Sequence, residues 1–198
     1  HSVNIDALLQ ALEEKIPTPS RDPNKPPIMY VVRSFDVNKP GTSVEQLVGG
    51  VIGGSIFQGK FKTGDEIEIR PGIRVEKLGK TLYESLFTEI VSLHAGGRTV
   101  KEAQCGGLVG IGSFLDPSLT KADGLIGNLV GKPDMLPPNR SELVLETNLF
   151  KRAIGTKELV QVDSVNKGER LLLDVGTAIT VGSVASMKED AITLQLAR

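Results

Sequence analysis

Short runs of alternating apolar and polar residues dominate the chain and predict a mainly β protein. Runs rich in β-branched or apolar residues and separated by Gly, Pro and Asp are typical of strands. Before residue 132 these runs are Ile28–Phe35, Leu47–Gln58, Asp65–Arg70, Tyr83–Leu93, Leu108–Phe114 and Leu125–Val130. Six strands without an intervening helix favour a closed antiparallel barrel, because closure leaves no strand edge exposed. We also expect a hairpin turn at Lys62–Asp65.

A second group of strands follows a linker at 132–138 that carries three prolines in seven residues. The later runs are Glu142–Phe150, Leu159–Val162, Glu169–Val175, Ala178–Ala185 and Ala191–Leu196. They predict a second antiparallel barrel over residues 132–198, after a first barrel over residues 20–131. A strand that ends directly at Arg198 would leave backbone groups unpaired. We therefore expect the second barrel to be incomplete at its C-terminus.

One segment near the N-terminus has a helical pattern. Asn4 suits the N-cap position, and the prolines of Pro17–Pro19 end the helix. Apolar residues recur on one face at Ile5, Leu8, Leu9, Leu12 and Ile16. An amphipathic helix needs a partner for such a stripe. We interpret residues 1–19 as the last helix of a preceding domain with its linker; the alternative is a helix packed on its own barrel.

Composition and charge limit the functions open to this chain. Apolar residues make up 39 % and charged residues 24 % of 198, as in ordinary globular proteins. A net charge of −1 means that nucleic acid cannot be held by charge alone, and 4 % aromatic residues argue against a base-stacking platform. The single Cys105 fits a reducing cytoplasm, and with two histidines it argues against a zinc site. No apolar run approaches the roughly 20 residues that span a membrane.

Two segments resemble nucleotide-binding motifs and fail in detail. Gly54–Phe61 nearly matches the phosphate loop, but Phe61 replaces the hydroxyl that holds magnesium, and a turn and a strand are predicted where a helix should follow. Thr120–Asp123 resembles the guanine-reading motif of GTPases with Thr in place of Asn. We therefore expect this chain alone to bind no nucleotide cofactor and to hydrolyse no GTP.

No catalytic group is convincing either. His94 is the only histidine away from the terminus, and Cys105 is most simply a small buried residue. The chain therefore favours a binding module over an enzyme. Paired glycines occur at Gly49-Gly50, Gly53-Gly54, Gly96-Gly97 and Gly106-Gly107. Glycines inside strands either bend a barrel or let another backbone approach closely.

Several segments together resemble the gamma subunit of archaeal and eukaryotic translation initiation factor two. The matching segments are Asn4–Asp6 through Pro17–Pro19, Arg33–Thr42, Gly49–Ser55, Gly64–Gly72, Gly106–Gly112, Leu115–Asp123 and Gly155–Glu158. Leu115–Asp123 is the most specific of them. That family is similar to elongation factor Tu, with a GTPase domain followed by two β-barrels. The resemblance implies that the GTPase domain, with its GTP and Mg²⁺, precedes His1 and that the closing strands follow Arg198.

The resemblance also implies partners and a site. The family forms a cytoplasmic heterotrimer with alpha and beta subunits and carries initiator methionyl-tRNA to the small ribosomal subunit; its alpha subunit docks on the first barrel. The aminoacylated 3′ end of the tRNA lies between the GTPase domain and that barrel. Carried over to this sequence, the tRNA-binding residues are Val51, Gly53, Leu93, His94, Ala95, Gly96 and Arg33. His94 would stack on or bond to the terminal adenosine, Gly53 would allow close approach, and Arg33 would contact a phosphate or a partner.

Three other hypotheses stay open at this point. The chain could be the barrel pair of an elongation-type or selenocysteine-type factor, although those would lack Leu115–Asp123 in this form. A free-standing barrel enzyme would need an acid–base pair that the sequence does not offer. A structural adaptor that contacts only proteins is the third. Neither DNA nor a membrane is an expected partner.

Overall fold

Antiparallel strands make up most of the fold, as the alternating pattern predicts. The computed structural model describes residues 4–150, 164–188 and 191–197. Its strands are β1 (Ile28–Phe35), β2 (Val51–Gln58), β3 (Lys60–Lys62), β4 (Glu66–Lys77), β5 (Lys80–Ala95), β6 (Arg98–Val100), β7 (Glu102–Gln104), β8 (Leu108–Ser113), β9 (Leu129–Gly131), β10 (Glu142–Glu146), β11 (Arg170–Val175), β12 (Ala178–Lys188) and β13 (Ala191–Leu196). The helices are α1 (Ile5–Lys15) and α2 (Pro117–Thr120), with 3₁₀ turns at Val44–Gln46 and Lys121–Asp123.

The first barrel is closed, which confirms the main prediction. Six strands pair in the order β4-β9-β1-β2-β8-β5, and β5 pairs back to β4 to complete the circle. The strand β5 is 16 residues long, so one part of it pairs with β4 and its end pairs with both β8 and β6. The short strands β3 and β7 pair with each other at one side of the barrel.

Inward-facing aliphatic side chains fill the barrel. Alternate residues of each strand point to the same face, so β2 buries Ile52 and Ile56 while β8 buries Val109 and Ile111. The other buried members include Met29, Val31, Phe61, Ile67, Ile69, Ile90, Leu93, Leu115, Leu125 and Val130. The closed barrel thus has a continuous apolar core.

The predicted strand Leu125–Val130 is mostly a turn. The strand β9 spans only Leu129–Gly131, because Gly127 has φ +85° and breaks the extended conformation. Asn128 is buried there; its side-chain oxygen accepts the Gly72 N–H (2.7 Å) and its amide donates to the Leu125 carbonyl (3.1 Å). A polar residue therefore organises a segment whose apolar composition suggested a longer strand.

The hairpin predicted at Lys62–Asp65 is also wrong, although a turn is present. The strand before it, β3, pairs with β7, and the strand after it, β4, pairs with β5 and β9. The turn therefore connects two different sheets. The true long hairpin joins β4 to β5 and continues from Ile73↔Glu84 to Lys77↔Lys80.

The helix α1 is exposed along its whole length. Asn4 occupies the N-cap position, but its φ of 65° is left-handed and its side chain makes no capping hydrogen bond. The apolar stripe stays 44–66 % exposed at Ile5, Leu8, Leu9, Leu12 and Ile16. The alternative of a helix packed on its own barrel is therefore wrong within the described residues. None of the described helices has both the length and the apolar character of a membrane span.

The later strands form a separate antiparallel sheet in the order β10-β13-β12-β11. Its core consists of Val184, Ile192 and Leu194, with Leu171 and Leu173 packed against them. The predicted strand Leu159–Val162 lies outside the described residues. Closure of this sheet into a second barrel therefore stays a prediction, as do the domain boundaries at residues 20 and 132.

A buried ion pair anchors the linker between the two sheets to the barrel. Glu68 of β4 is fully buried, and its Oε1 pairs with Arg70 Nε (2.7 Å) and Nη2 (2.5 Å). Its Oε2 accepts the Asp134 N–H (3.1 Å), while Arg70 Nη1 donates to the carbonyls of Leu136 (2.9 Å) and Pro137 (3.3 Å). We call Glu68, Arg70 and residues 134–137 the linker clamp.

The pKa of Glu68 reflects this clamp. Burial is the largest single effect and raises the pKa of the carboxyl, because desolvation penalises the charged form. Hydrogen bonds from Ser85, Arg70 and the Asp134 N–H, together with the charge of Arg70, outweigh burial and hold the pKa below its ordinary value of 4.5. Glu68 is therefore charged at neutral pH.

A second contact joins the four-stranded sheet to the barrel. The turn between β11 and β12 packs on β1 so closely that a Cβ at Gly176 would lie 2.6 Å from Tyr30 Cε1. On the same side, a Cβ at Gly127 would lie 3.0 Å from the Ala178 Cα. Tyr30 is also packed edge-on against Phe57, with 5.7 Å between ring centroids. The sheet and the barrel thus touch directly as well as through the linker.

Candidate nucleic-acid interface

Four neighbouring strands of the barrel bring three of the seven predicted site residues, Arg33, Gly53 and His94, onto one row. Arg33 of β1 pairs with Gly53 of β2, Gly53 pairs with Gly110 of β8, and Gly110 pairs with His94 of β5. His94 in turn pairs with Thr99 of β6. Residues paired across strands share a face of the sheet. Arg33 and His94 therefore flank two glycines, and three strand spacings separate them by about 14 Å.

The row lies on the outer face of the barrel, and not every predicted residue shares it. Val51 is two residues from Gly53 and lies on the same face, half-buried. Leu93 is fully buried in the core, and Ala95 packs against that core. Their side chains lie on the opposite face of β5 from His94, so a ligand on the outer face could reach only their backbone.

His94 lies next to the tight turn of the β5–β6 hairpin. Only two residues, Gly96 and Gly97, connect the strands, with φ values of 57° and 74°. Tight two-residue hairpin turns require such left-handed conformations, which glycine adopts without strain. His94 is exposed, and its Nδ1 lies 3.4 Å from Thr99 Oγ1. The imidazole is therefore placed beside the row by two paired strands.

Gly53 lies beside Arg33 without being forced to be a glycine. A Cβ at Gly53 would meet Arg33 Cβ at 3.7 Å and the Arg33 carbonyl oxygen at 3.8 Å, which are ordinary contacts. Its φ is not positive, so the backbone conformation does not require glycine. Packing within the barrel therefore leaves room for a side chain at this position.

Asp123 fixes Arg33, a contact that the sequence did not predict. Its Oδ1 lies 3.2 Å from Arg33 Nε and accepts the Ser34 N–H at 2.9 Å. The turn that carries it places Ala122 and Asp123 at φ 52° and 61°, which is uncommon for residues with a side chain. Arg33 keeps 69 % of its side chain exposed, so a ligand can still reach it.

Thr120 holds the same turn against the barrel. Its side chain is fully buried, and its hydroxyl lies 3.2 Å from the Phe35 carbonyl oxygen and 3.1 Å from that of Pro117. A Cβ at Gly50 would lie 2.2 Å from Thr120 Oγ1, so this glycine is needed for close packing. The segment Leu115–Asp123 thus supports the end of β1 that carries Arg33.

The two nucleotide-like motifs have other roles in the structure. Gly54–Phe61 runs from β2 through Gly59 into β3, and a turn and β4 follow. In Thr120–Asp123, the carboxylate that would read guanine is engaged by Ser34 and Arg33. Neither segment has the geometry of a nucleotide site.

A cavity of about 380 Å³ lies elsewhere on the molecule. Its lining residues are Thr18, Pro19, Arg21, Pro23, Gln104, Cys105 and Gly106. None of the predicted tRNA-binding residues contributes to it. The row on the outer barrel face is therefore an open surface and not part of this cavity.

Two family models match separate parts of the chain. Residues 49–114 match the family described as Elongation factor Tu domain 2. Residues 141–198 match the family described as Initiation factor eIF2 gamma, C terminal. The first match covers the strands that carry Gly53, His94 and Gly110, and the second covers β10 to β13.

Three archaeal proteins with high sequence identity to this chain share one description. Translation initiation factor 2 subunit gamma of Thermococcus onnurineus is 60 % identical over 196 residues, that of Pyrococcus furiosus 59 % and that of Methanocaldococcus jannaschii 51 %. Each match covers 99 % of this chain and 48 % of the relative, so the chain spans about half the length of these relatives.

A solved structure confirms the fold. The crystal structure of a bacterial selenocysteine-specific elongation factor, EF-Sec, matches 98 % of this chain and 27 % of its own length, with a TM-score of 0.69. Its sequence is only 19 % identical, so this likeness extends to the fold alone. Identities of 51–60 % favour the initiation factor over the selenocysteine-type alternative. Over nearly its whole length this chain is therefore a homologue of about half of the gamma subunit of translation initiation factor 2.

Proposed function

We propose that this chain is the part of an initiation factor gamma subunit that holds the aminoacylated acceptor end of initiator methionyl-tRNA. In this proposal the complete factor is a GTP-dependent heterotrimer with alpha and beta subunits that delivers the tRNA to the small ribosomal subunit in the cytoplasm. GTP and Mg²⁺ bind to a GTPase domain outside these 198 residues. The barrel contributes binding, and GTP hydrolysis belongs to the complete protein.

The observation that carries the proposal is a pair of adjacent glycines, Gly53 and Gly110, that separates an exposed imidazole from an exposed guanidinium. Because the net charge is −1, RNA has to be recognised locally and not by a general positive field. An exposed imidazole can stack on an unpaired base or donate to its edge. A guanidinium can bond to phosphate or ribose oxygens. His94 and Arg33 provide these two groups on opposite sides of Gly53.

The test measures the affinity of the reconstituted GTP-bound heterotrimer for initiator methionyl-tRNA. We expect His94→Ala and Arg33→Ala each to weaken binding about tenfold, the loss expected for one contact worth about 1.4 kcal/mol. Arg74→Ala is the matched control, because Arg74 is also exposed on the barrel and also pairs with an acidic residue, Glu76, at 3.5 Å. It should bind tRNA like the wild type.

Unchanged affinity in both variants would remove the tRNA site from this face. A heterotrimer that never contacts RNA through these residues would instead favour the protein-only adaptor. Loss of affinity in the Arg74 control as well would mean a general effect on folding or charge, and the site would again be rejected.

Docking of the alpha subunit on the first barrel is the second part of the proposal. It rests on the homology to gamma subunits, and no described contact identifies the docking residues. Calorimetric titration of this chain with the C-terminal domain of the alpha subunit should give a stoichiometric complex. A folded chain that produces no heat and no co-elution would exclude this partnership.

A further inference from the structure

A β-bulge in β1 turns Arg33 to the outside of the barrel. Val31 pairs with Gly54 and Arg33 pairs with the adjacent Gly53, so Val32 is an extra residue in the register. Successive residues of a strand alternate between its two faces, and Val31 is fully buried. Without the extra residue, Arg33 would follow Val31 into the core. Bulges occur often beside functional sites, where they re-aim a side chain.

The same bulge turns a polar residue inward. Ser34 is only 1 % exposed, and the turn after α2 satisfies both of its polar groups. Its N–H donates to Asp123 Oδ1 at 2.9 Å, and its Oγ accepts the Leu125 N–H at 3.0 Å. A buried polar group without a partner destabilises the fold. The bulge that exposes Arg33 therefore depends on the turn that carries Asp123.

That turn has an unfavourable backbone conformation. Ala122 and Asp123 have φ values of 52° and 61°, a region that residues with a side chain seldom adopt. Such conformations persist where the surrounding structure holds them, and they concentrate at functional sites. Here the conformation brings Asp123 Oδ1 to 3.2 Å from Arg33 Nε. One carboxylate oxygen thus contacts both the side chain of Arg33 and the backbone of the next residue.

The contact leaves the outer part of the guanidinium accessible. Nε is the innermost of the three guanidinium nitrogens, and 69 % of the Arg33 side chain is exposed. A free arginine side chain has many rotamers, and a ligand that immobilises it loses affinity for that reason. Holding Nε in advance reduces this loss, while the two terminal nitrogens stay available for the paired bonds that arginine makes to phosphate.

We infer that Asp123 is a positioning residue of the proposed RNA site: it orients Arg33 so that the terminal guanidinium nitrogens meet a phosphate of the bound RNA. This inference rests on the proposed function and adds a residue outside the predicted tRNA-binding set. It also predicts a sign. A carboxylate beside a phosphate repels it, so charge alone predicts that removing Asp123 tightens RNA binding. Positioning predicts the opposite.

The experiment measures the affinity of the GTP-bound heterotrimer for initiator methionyl-tRNA with Asp123→Gly and Asp123→Asn, each with and without Arg33→Ala. Glycine and asparagine both tolerate the left-handed conformation of this position. We expect Asp123→Gly to weaken binding about tenfold, as Arg33→Ala does. Asp123→Asn should bind like the wild type, because its amide oxygen still accepts from the Ser34 N–H and from Arg33. Neither change should alter affinity further once Arg33 is alanine.

Two further measurements separate positioning from a structural effect. Each phosphate contact contributes about 0.7–0.9 to the slope of log affinity against log salt concentration. Asp123→Gly should therefore lower that slope as much as Arg33→Ala does, because the same contact is lost. Glu76→Gln is the charge control, since it removes a carboxylate from the exposed pair with Arg74 at 3.5 Å, and it should leave tRNA binding unchanged.

The outcomes distinguish this inference from the proposed function. Tighter binding with Asp123→Gly would overturn the inference, because the carboxylate would then act only through its charge. Equal losses with and without Arg33 would also overturn it, because Asp123 would then act through the fold. In either case, weaker binding with Arg33→Ala or His94→Ala would leave the tRNA site in place. If those two variants bind like the wild type, the proposed function fails on this face and the inference fails with it.

Discussion

The linker clamp allows a direct test of how much a buried ion pair contributes to the stability of this fold. Replacing Glu68 by Gln keeps the shape of the side chain but removes the charge that accepts two bonds from Arg70 and one each from Ser85 and the Asp134 N–H. Any orientation of the new amide leaves an N–H group facing another donor. Breaking a buried ion pair costs about 3–5 kcal/mol, and losing a single charged hydrogen bond costs about 1.5–3 kcal/mol.

The expected loss for Glu68→Gln lies in the lower of these two ranges. Arg70 keeps 22 % of its side chain exposed and retains its bonds to the Leu136 and Pro137 carbonyls, so it is not stranded without partners. We expect the free energy of unfolding to fall by about 2–3 kcal/mol. The assay is urea denaturation of this chain at pH 7, monitored by circular dichroism. The dependence of the unfolding free energy on urea concentration is compared between variants.

The control for this prediction is built into the same strand. Glu76 also pairs with an arginine two residues away, Arg74, at 3.5 Å, but both side chains are largely exposed. Exposed ion pairs contribute about 0–1 kcal/mol, so Glu76→Gln should be close to neutral. If Glu68→Gln cost no more than Glu76→Gln, burial of the clamp would contribute nothing, and the reasoning would be refuted.

Other predictions follow from contacts described above. Because the folded pKa of Glu68 is below 4.5, its contribution is present above that value and lost as pH falls through the folded pKa, so the stability gap between wild type and Glu68→Gln should narrow in acid. Gly54→Ala should cost about 3 kcal/mol by overpacking against the Tyr30 carbonyl, whereas Gly53→Ala should be neutral or stabilise by about 0.5–1 kcal/mol in the same denaturation assay. Thr120→Val should cost about 1–2 kcal/mol through its lost hydroxyl bond, and Thr120→Ser should lose less.

Each of these has an outcome that contradicts it. A gap that stays constant from pH 7 into acid would show that Glu68 is not the group that titrates. Equal destabilisation at residues 53 and 54 would mean that the sheet resists any side chain there. A Thr120→Val variant as stable as wild type would show that the hydroxyl contributes nothing to the turn.

Strand patterns were easiest to predict where they were long and regular. The run Ile28–Phe35 matches β1 residue for residue, and Ala191–Leu196 matches β13. Three-residue strands such as β3, β6 and β7 were missed, because a period of two cannot be recognised over so few positions. The end of the β4–β5 hairpin was missed because Pro71-Gly72 and a polar tip suggested that the strand had ended.

The candidate site was only partly accessible from sequence. The glycine pairs are visible in the sequence, but the distinction between Gly53 and Gly54 depends on which atom of β1 lies over each, and that follows only from the strand register. Leu93 and His94 are adjacent in sequence, yet the pleat sends them to opposite faces. The contact of Asp123 with Arg33 joins residues 90 positions apart, so no local sequence pattern predicts it.

The linker clamp and the packing of Gly176 on Tyr30 together have a kinematic consequence. A body tethered by one flexible segment can rotate about three independent axes. A motion that keeps both the attachment on β4 and the contact on β1 is confined to rotation about the line that joins them. A swing of the four-stranded sheet that breaks neither contact therefore turns about an axis through the Glu68 carboxylate and the turn at Gly176.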